Sequence, residues 1–239
     1  MSGHSKWAQI KHAKAATDKK KGQIFSKLVR QITIAVREGG ADPDSNFKLR
    51  LVIEKAREAE MPKDNIERAI AKAAGGEGDQ QIEQATYEGF GPFGTTFVVE
   101  AATDNKNRTT ANVRHLLEKF GGSMGQPGSV TWGFETKGQI LVPKNGHNAE
   151  DVELSAIDAG AEDVKISEDG VEIYTTPLDL NNIKQALEKI PVKIASAEIV
   201  MHAKTPTELT PEQKMKVQEL FEALSEDEEV LAVHTSANL

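Results

Sequence analysis

The chain contains no cysteine. That excludes disulfides, thiolate metal sites and a cysteine nucleophile, and it suits a reducing compartment. Aromatic residues make up only 5% of the chain, against 38% hydrophobic residues overall, so its cores have to be aliphatic and small. No apolar run approaches the roughly 20 residues that cross a bilayer, and the first residues hold no apolar leader stretch. These absences point to a soluble, cytoplasmic protein with no membrane partner.

Signs of chemistry are equally scarce. There is no G-x-S-x-G, no P-loop and no H-E-x-x-H pattern. His4, His12, His115, His147, His202 and His234 are scattered, so no metal site is expected. Carboxylate pairs such as Glu162-Asp163 fall on turns and read as solvated surface. Gly89-Phe90-Gly91-Pro92-Phe93-Gly94 has the spacing of a dinucleotide fingerprint. That fingerprint needs a following helix to receive the pyrophosphate. Here a β-rich run follows and Pro92 disrupts the turn, so the segment reads as a glycine-rich connection. No enzyme activity, no cofactor and no small-molecule substrate are expected.

What the chain does have is charge, unevenly placed. Its 239 residues carry a formal net charge of −8. Residues 1–76 hold 16 Lys+Arg and 9 Asp+Glu, a balance of +7; the remainder holds 13 and 28, a balance of −15. A basic module on an acidic body would meet a polyanion basic end first. The basic excess is densest in residues 1–27, where Lys6, Lys11, Lys14, Lys19, Lys20, Lys21 and Lys27 face one acid, Asp18. His4, His12 and Trp7 lie among them. Lysines neutralise phosphates and an indole stacks on an exposed base, so the stretch reads as a nucleic-acid-binding arm. The alternative is a solvated lysine run, although such a run has no need of Gly3-His4-Ser5-Lys6-Trp7.

Three amphipathic helices follow. Phe25, Leu28, Val29, Ile32 and Val36 share one face over 23–37, with Lys27, Arg30 and Arg37 roughly opposite as further nucleic-acid contacts. Leu49, Val52, Ile53 and Ala56 stripe a second helix over 46–60, and Ile66, Ala69, Ile70 and Ala73 a third, begun by an Asp64/Glu67 capping box. The stripes predict a helical bundle over 1–78. Strands are expected at 95–101 and 130–134, with a helix through Val113, Leu116, Leu117 and Phe120 between them. From 138 the pattern is βαββαβ, the ferredoxin-like order, with an Asp169-Gly170 hairpin and a helix over 178–190 capped by Thr176. Thr210-Pro211-Glu212-Gln213 then opens a last helix, followed by a strand at 230–234. The incomplete β–α–β before the ferredoxin-like unit and the helix–strand pair after it complete each other. The expected architecture is α+β and multidomain: a helical domain, a discontinuous α/β domain (79–136 and 204–239), and a ferredoxin-like domain (137–203) inserted in it.

Asp104-Asn105-Lys106-Asn107-Arg108-Thr109 leads from a strand into a helix. Asn105, Lys106, Asn107 and Arg108 converge on a helix N-terminus and have the makings of a secondary phosphate site. An ordinary capped helix start explains them equally well.

Several of these segments carry a resemblance. Gly3-His4-Ser5-Lys6-Trp7, Lys21-Gly22, Phe25-Ser26-Lys27, Gly39-Gly40, Asp42-Pro43, the run from Met61 to Ile70, Tyr87-Glu88-Gly89 and Asp104 to Thr109 resemble signatures of the YebC family. The family includes bacterial proteins and mitochondrial translational activators of cytochrome c oxidase. One departure is Glu60, where the family pattern has Asn. The resemblance implies three domains, the last inserted in the middle one, and no enzyme activity. It implies a nucleic-acid-binding role in gene expression, either as a DNA-binding transcriptional regulator or as a ribosome-associated translation factor that eases synthesis through proline-rich stretches. An arm with lysines and a tryptophan suits structured or single-stranded RNA, which favours the ribosome among the roles the resemblance implies. DNA-bound regulation and a protein-binding scaffold are the alternatives.

Overall fold

The computed structural model describes residues 18–75, 82–144 and 148–239, with side chains from Lys21 onward. Three helices come first: α1 (Asp18–Gly39), α2 (Phe47–Glu58) and α3 (Lys63–Gly75). Their stripes meet as expected, with Leu28, Ile32, Val36, Leu49, Ile53, Ala56, Met61 and Ile66 forming one core. The α1–α2 turn is set by a buried amide. Asn46 Nδ2 donates to the carbonyls of Ala35 (2.7 Å) and Gly40 (2.8 Å), while its Oδ1 accepts from Leu49 N at 3.0 Å. A Cβ on Gly39 would come within 2.7 Å of that amide, so glycine is required there. Helix α3 begins at Lys63, which puts Asp64 inside its first turn rather than at the cap. Glu60, between α2 and α3, has φ of 60°, a conformation that asparagine accepts more readily than glutamate.

The first sheet has strand order β3-β1-β2-β8, from β1 (Glu83–Phe90), β2 (Thr96–Thr103), β3 (Ser123–Met124) and β8 (Val230–Thr235). Helices α4 (Lys106–Lys119) and α7 (Pro211–Glu226) pack on one face, burying Phe97, Val99, Val113, Leu117, Val217, Leu220 and Leu224. The expected Thr210–Gln213 capping box is present. The second sheet has order β5-β6-β4-β7, from β4 (Phe134–Pro143), β5 (Asp163–Ile166), β6 (Gly170–Thr175) and β7 (Ser196–Ala203). With α5 (Ala149–Asp158) and α6 (Leu180–Leu187) on one face, it is an antiparallel ferredoxin-like unit. It leaves and re-enters the first domain side by side, since Lys204 N donates to Gly133 O at 2.9 Å.

Two further local expectations are corrected, and one strand was missed. The stretch 130–134 is not a strand: Thr131–Gly133 is a 3-10 turn and Phe134 opens β4. Strand β1 was not expected: its buried positions are Glu88 and Gly89, so no large apolar side chain marks a core face. The helix expected from 178 begins at Leu180, because Thr176 Oγ1 donates to Asp179 Oδ2 (2.7 Å) and accepts from Asp179 N (3.2 Å), closing a turn first.

Strand β2 is buried on both faces. Opposite the helices, Val98 packs with Val130, Phe134 and Ala203 at the root of the insert. Beside this cluster lies a buried carboxylate, Glu88 of β1. It accepts hydrogen bonds from the backbone N–H groups of Gly128 (2.6 Å), Val130 (2.7 Å) and Thr131 (2.9 Å). Burial alone would raise its pKa, but the hydrogen bonds from Thr131, Val130 and Gly128 outweigh it and hold the carboxyl at about 2.

Unfolded, that carboxyl titrates near 4.5. Between there and about 2 the unfolded chain binds more protons, so stability is lost as pH falls through this window. Glu88→Gln should cost roughly 2–4 kcal/mol near neutral pH and remove this part of the acid dependence. Urea unfolding of both proteins at about pH 7 and about pH 3 checks it; equal losses of stability on acidification would mean Glu88 is not the titrating group.

Candidate nucleic-acid interface

Gly3, His4, Ser5, Lys6, Trp7, Lys11, His12 and Lys14 lie outside the described residues. Lys19 and Lys20 fall in the first turn of α1, ahead of its described side chains. Lys21 is the first basic side chain seen, and its ammonium is 2.9 Å from Glu60 Oε2. Both partners are substantially exposed, so solvent screens this pair and it is readily exchanged for a phosphate.

The other α1 cations face the body of the protein. Lys27 Nζ donates to Ser225 O and Arg30 Nη1 to Glu228 O, at the end of α7 and the turn after it. Arg37 Nη1 donates to Ile82 O at 2.8 Å, just ahead of β1. Helix α7 leaves its last carbonyls without intrahelical partners, at the negative end of its dipole, and cations from another domain are suitable partners for them. Two further pairs tie the same junction, Lys55–Glu198 at 3.3 Å and Lys184–Glu54 at 2.6 Å. Between the helices and the two sheets a cleft of about 790 Å³ remains, with Leu51, Val52, Ile199 and Leu231 among its apolar walls. The sequence pattern placed Lys27, Arg30 and Arg37 opposite the apolar stripe. It carried no sign that the body of the protein waits on that side.

The secondary cluster is likewise internally engaged. Asn105 caps α4, its side chain accepting from Arg108 N at 3.1 Å. Arg108 is clamped between Asp104 (2.5 Å) and the buried Glu229. Thr109 (2.6 Å) and Thr103 (3.0 Å) also donate to Glu229. Burial pushes the Glu229 pKa up, and the hydrogen bonds from Arg108, Thr109 and Thr103 bring it below the usual carboxylate range. Lys106 pairs with Glu83 at 2.5 Å, and Asn107 is exposed. Arg108 therefore ties the start of α4 to the turn before β8, the role of a structural cap. Among the described residues no group of three or more His, Cys, Asp or Glu side chains is arranged to hold a metal ion. No described helix is long and apolar enough to cross a membrane.

Lys27 offers a direct check on this geometry. Burial lowers its pKa from 10.5 to about 8, against the pull of Asp227. From about 8 to 10.5 the unfolded chain binds more protons, so stability gains as pH rises through that interval. Lys27→Met lacks this gain. The difference in urea midpoint between wild type and variant should shift in favour of wild type between those two pH values. Parallel curves would mean that the ammonium is solvated.

Two family profiles together match nearly the whole chain. Residues 5–76 match the TACO1/YebC protein N-terminal domain, and residues 82–237 match the TACO1/YebC second and third domain. A probable transcriptional regulatory protein of Thermomicrobium roseum is 49% identical, over 100% of this chain and 96% of its own length. Another so named, from Thermoanaerobacter pseudethanolicus, is 45% identical over 100% of this chain and 98% of its own length. The crystal structure of a conserved hypothetical protein from Aquifex aeolicus superposes with a TM-score of 0.86 at 42% identity, covering 94% of this chain and 93% of that one. On sequence and fold together, the chain belongs to the TACO1/YebC family.

Proposed function

We propose that this protein is a non-enzymatic, nucleic-acid-binding regulator of gene expression whose contact begins with the arm preceding α1. The carrying observation is the charge partition, +7 over residues 1–76 against −15 over the rest. With Lys27, Arg30 and Arg37 engaged on body carbonyls, the phosphate contacts fall in this proposal to Lys6, Lys11, Lys14, Lys19, Lys20 and Lys21, the last by exchanging its Glu60 partner. An acidic body behind them repels the same phosphates and orients the approach.

The ligand we favour is ribosomal RNA, with the protein acting as a ribosome-associated translation factor that eases synthesis through proline-rich stretches. The helical domain supports this choice. The apolar stripes of α1 to α3 are turned inward, and α1 and α2 both send cations to the body, which is poor provision for a helix that reads a DNA major groove. An arm pairing lysines with a tryptophan suits unpaired RNA. DNA-bound transcriptional regulation is the second reading, favoured by the names of the relatives. In either case the partner is nucleic acid, reached without a membrane or a cofactor.

Neutralising roughly six phosphates gives a log–log salt slope near −4 on single strands and steeper on duplex. Changing Lys19, Lys20 and Lys21 to Gln should weaken binding and flatten that slope by about two. A filter-binding titration across salt concentrations measures both, and an unchanged affinity removes the arm as the electrostatic contact.

Trp7 separates the two ligands. Trp7→Ala should weaken binding about 5- to 150-fold with the slope nearly unchanged, because stacking and not charge is lost. On the ribosome reading, the same change releases the protein from ribosomes in a sucrose gradient and slows proline-rich reporters. On the DNA reading, ribosome association is absent from the start and promoter binding falls. If Trp7→Ala lowers the melting temperature but not the affinity, the indole belongs to the fold.

A further inference from the structure

The body of the protein is acidic, yet one of its edges combines exposed aromatic rings with lysines. Trp132 is 75% exposed, Phe90 43% and Phe93 42%, in a chain with only two Trp and eight Phe. Trp132 stands on the 3-10 turn that follows the loop held by Glu88. Its Nε1–H is already satisfied by Ser129 O at 2.9 Å, so the ring presents its faces and not its donor. Phe90 adjoins the same loop. A Cβ on Gly125 would come 2.3 Å from Ser129 Oγ and 3.4 Å from the Phe90 ring.

Phe93 is at the tip of the β1–β2 hairpin with φ 60° and ψ 29°, the left-handed region that a bulky residue rarely adopts. Gly91 N–H donates to Thr95 O (2.7 Å) and Thr95 Oγ1 to Pro92 O (2.8 Å), which hold the tip in that shape. Backbone strain of this kind gathers at functional sites.

The neighbouring cations make no ion pair among the described residues. Lys216 Nζ lies 5.9 Å from the centre of the Phe93 ring, and Lys204 Nζ donates to Trp132 O at 2.7 Å. Lys119 Nζ lies 5.3 Å from the centre of the Phe120 ring, one turn before Gly122, where a Cβ would sit 2.3 Å from Phe90 O.

We propose that this edge, formed by Phe90, Phe93 and Trp132 and flanked by Lys119, Lys204 and Lys216, is a second nucleic-acid contact that stacks the unpaired bases of single-stranded RNA. Rigid aromatic faces beside unpaired lysines are what sequence-tolerant single-strand binding requires, with stacking for the bases and charge for the backbone. A duplex, whose bases are already stacked, gains little from such an edge. The proposal extends the nucleic-acid reading of the arm but uses none of the arm's residues, so the two can fail separately.

The test uses the full chain carrying Trp7→Phe, which leaves Trp132 as the sole tryptophan. This protein is titrated with an unstructured RNA of about 15 nucleotides, and with the same sequence as a duplex, while tryptophan emission is followed. Emission should be quenched in step with binding of the single strand and not of the duplex. In this background Trp132→Ala and Phe93→Gly, with binding measured by filter retention of labelled RNA, should each weaken single-strand binding about 5- to 150-fold without changing the salt slope. Phe93→Gly relieves the strained backbone, so loss of fold cannot account for its effect.

Constant emission through saturation, or both variants binding as the parent does, overturns the proposal and leaves the edge to a protein partner. If those variants bind normally while the Lys19, Lys20 and Lys21 substitutions abolish binding, the arm reading stands and this one falls. The converse result keeps the aromatic edge and removes the arm.

Discussion

Glu88 is an unusual residue to find inside a strand, and much of the molecule's geometry runs through it. A carboxylate taken out of water is costly unless every lone pair is used. Here three consecutive-region N–H groups, those of Gly128, Val130 and Thr131, converge on it. Those groups belong to the segment that leaves the first sheet and starts β4. The carboxylate thus fixes the departure point and angle of the inserted domain. The cluster of Val98, Val130, Phe134 and Ala203 can then seal the space between the two sheets. Replace the charge and the apolar cluster remains, but the loop above it loses the three charge-assisted hydrogen bonds that tie it to β1.

The helical domain is attached by different means. Phe47 and Leu51 of α2 pack on the core of the inserted domain, but toward the first sheet the link is made by long cationic side chains reaching backbone carbonyls, Lys27 to Ser225, Arg30 to Glu228 and Arg37 to Ile82, beside the cleft between the domains. Such contacts are directional and individually weak compared with a shared apolar core. They also divide the labour among the basic residues. Lys27, Arg30 and Arg37 hold the domains together, and the proposed function assigns the phosphate contacts to the lysines ahead of them.

Much of this organisation was legible in the chain itself. Helices with a clear apolar stripe, the Thr210 capping box and the Asp169-Gly170 hairpin all formed where local pattern indicated, because each is set by interactions within a few residues. The pairing of β8 with β2 across the insert followed from two fragments that each lacked partners. Strand β1 was hidden because its buried positions are a glutamate satisfied by a distant loop and a glycine, which no apolar periodicity reveals. Val130–Phe134 resembled a strand because its apolar residues serve a junction between domains. At the candidate site, composition marked out the arm but could not tell which cations the fold itself would claim. Arg108, Lys27 and Arg30 took partners on segments more than a hundred residues away in sequence.

The order β2, insert, β8 has a consequence for how the protein is made. During synthesis β2 emerges long before β8, and its edge stays open until the whole inserted domain has followed. An unstructured chain of that length between two strands would make their meeting entropically expensive. The insert removes most of this penalty if it folds first, because its own β4–β7 ladder brings its two ends together and delivers α7 and β8 beside their partners. The ferredoxin-like unit would then act as an internal chaperone of assembly, and a lesion in its core would surface as aggregation through the unsealed edge of a sheet to which that core does not belong.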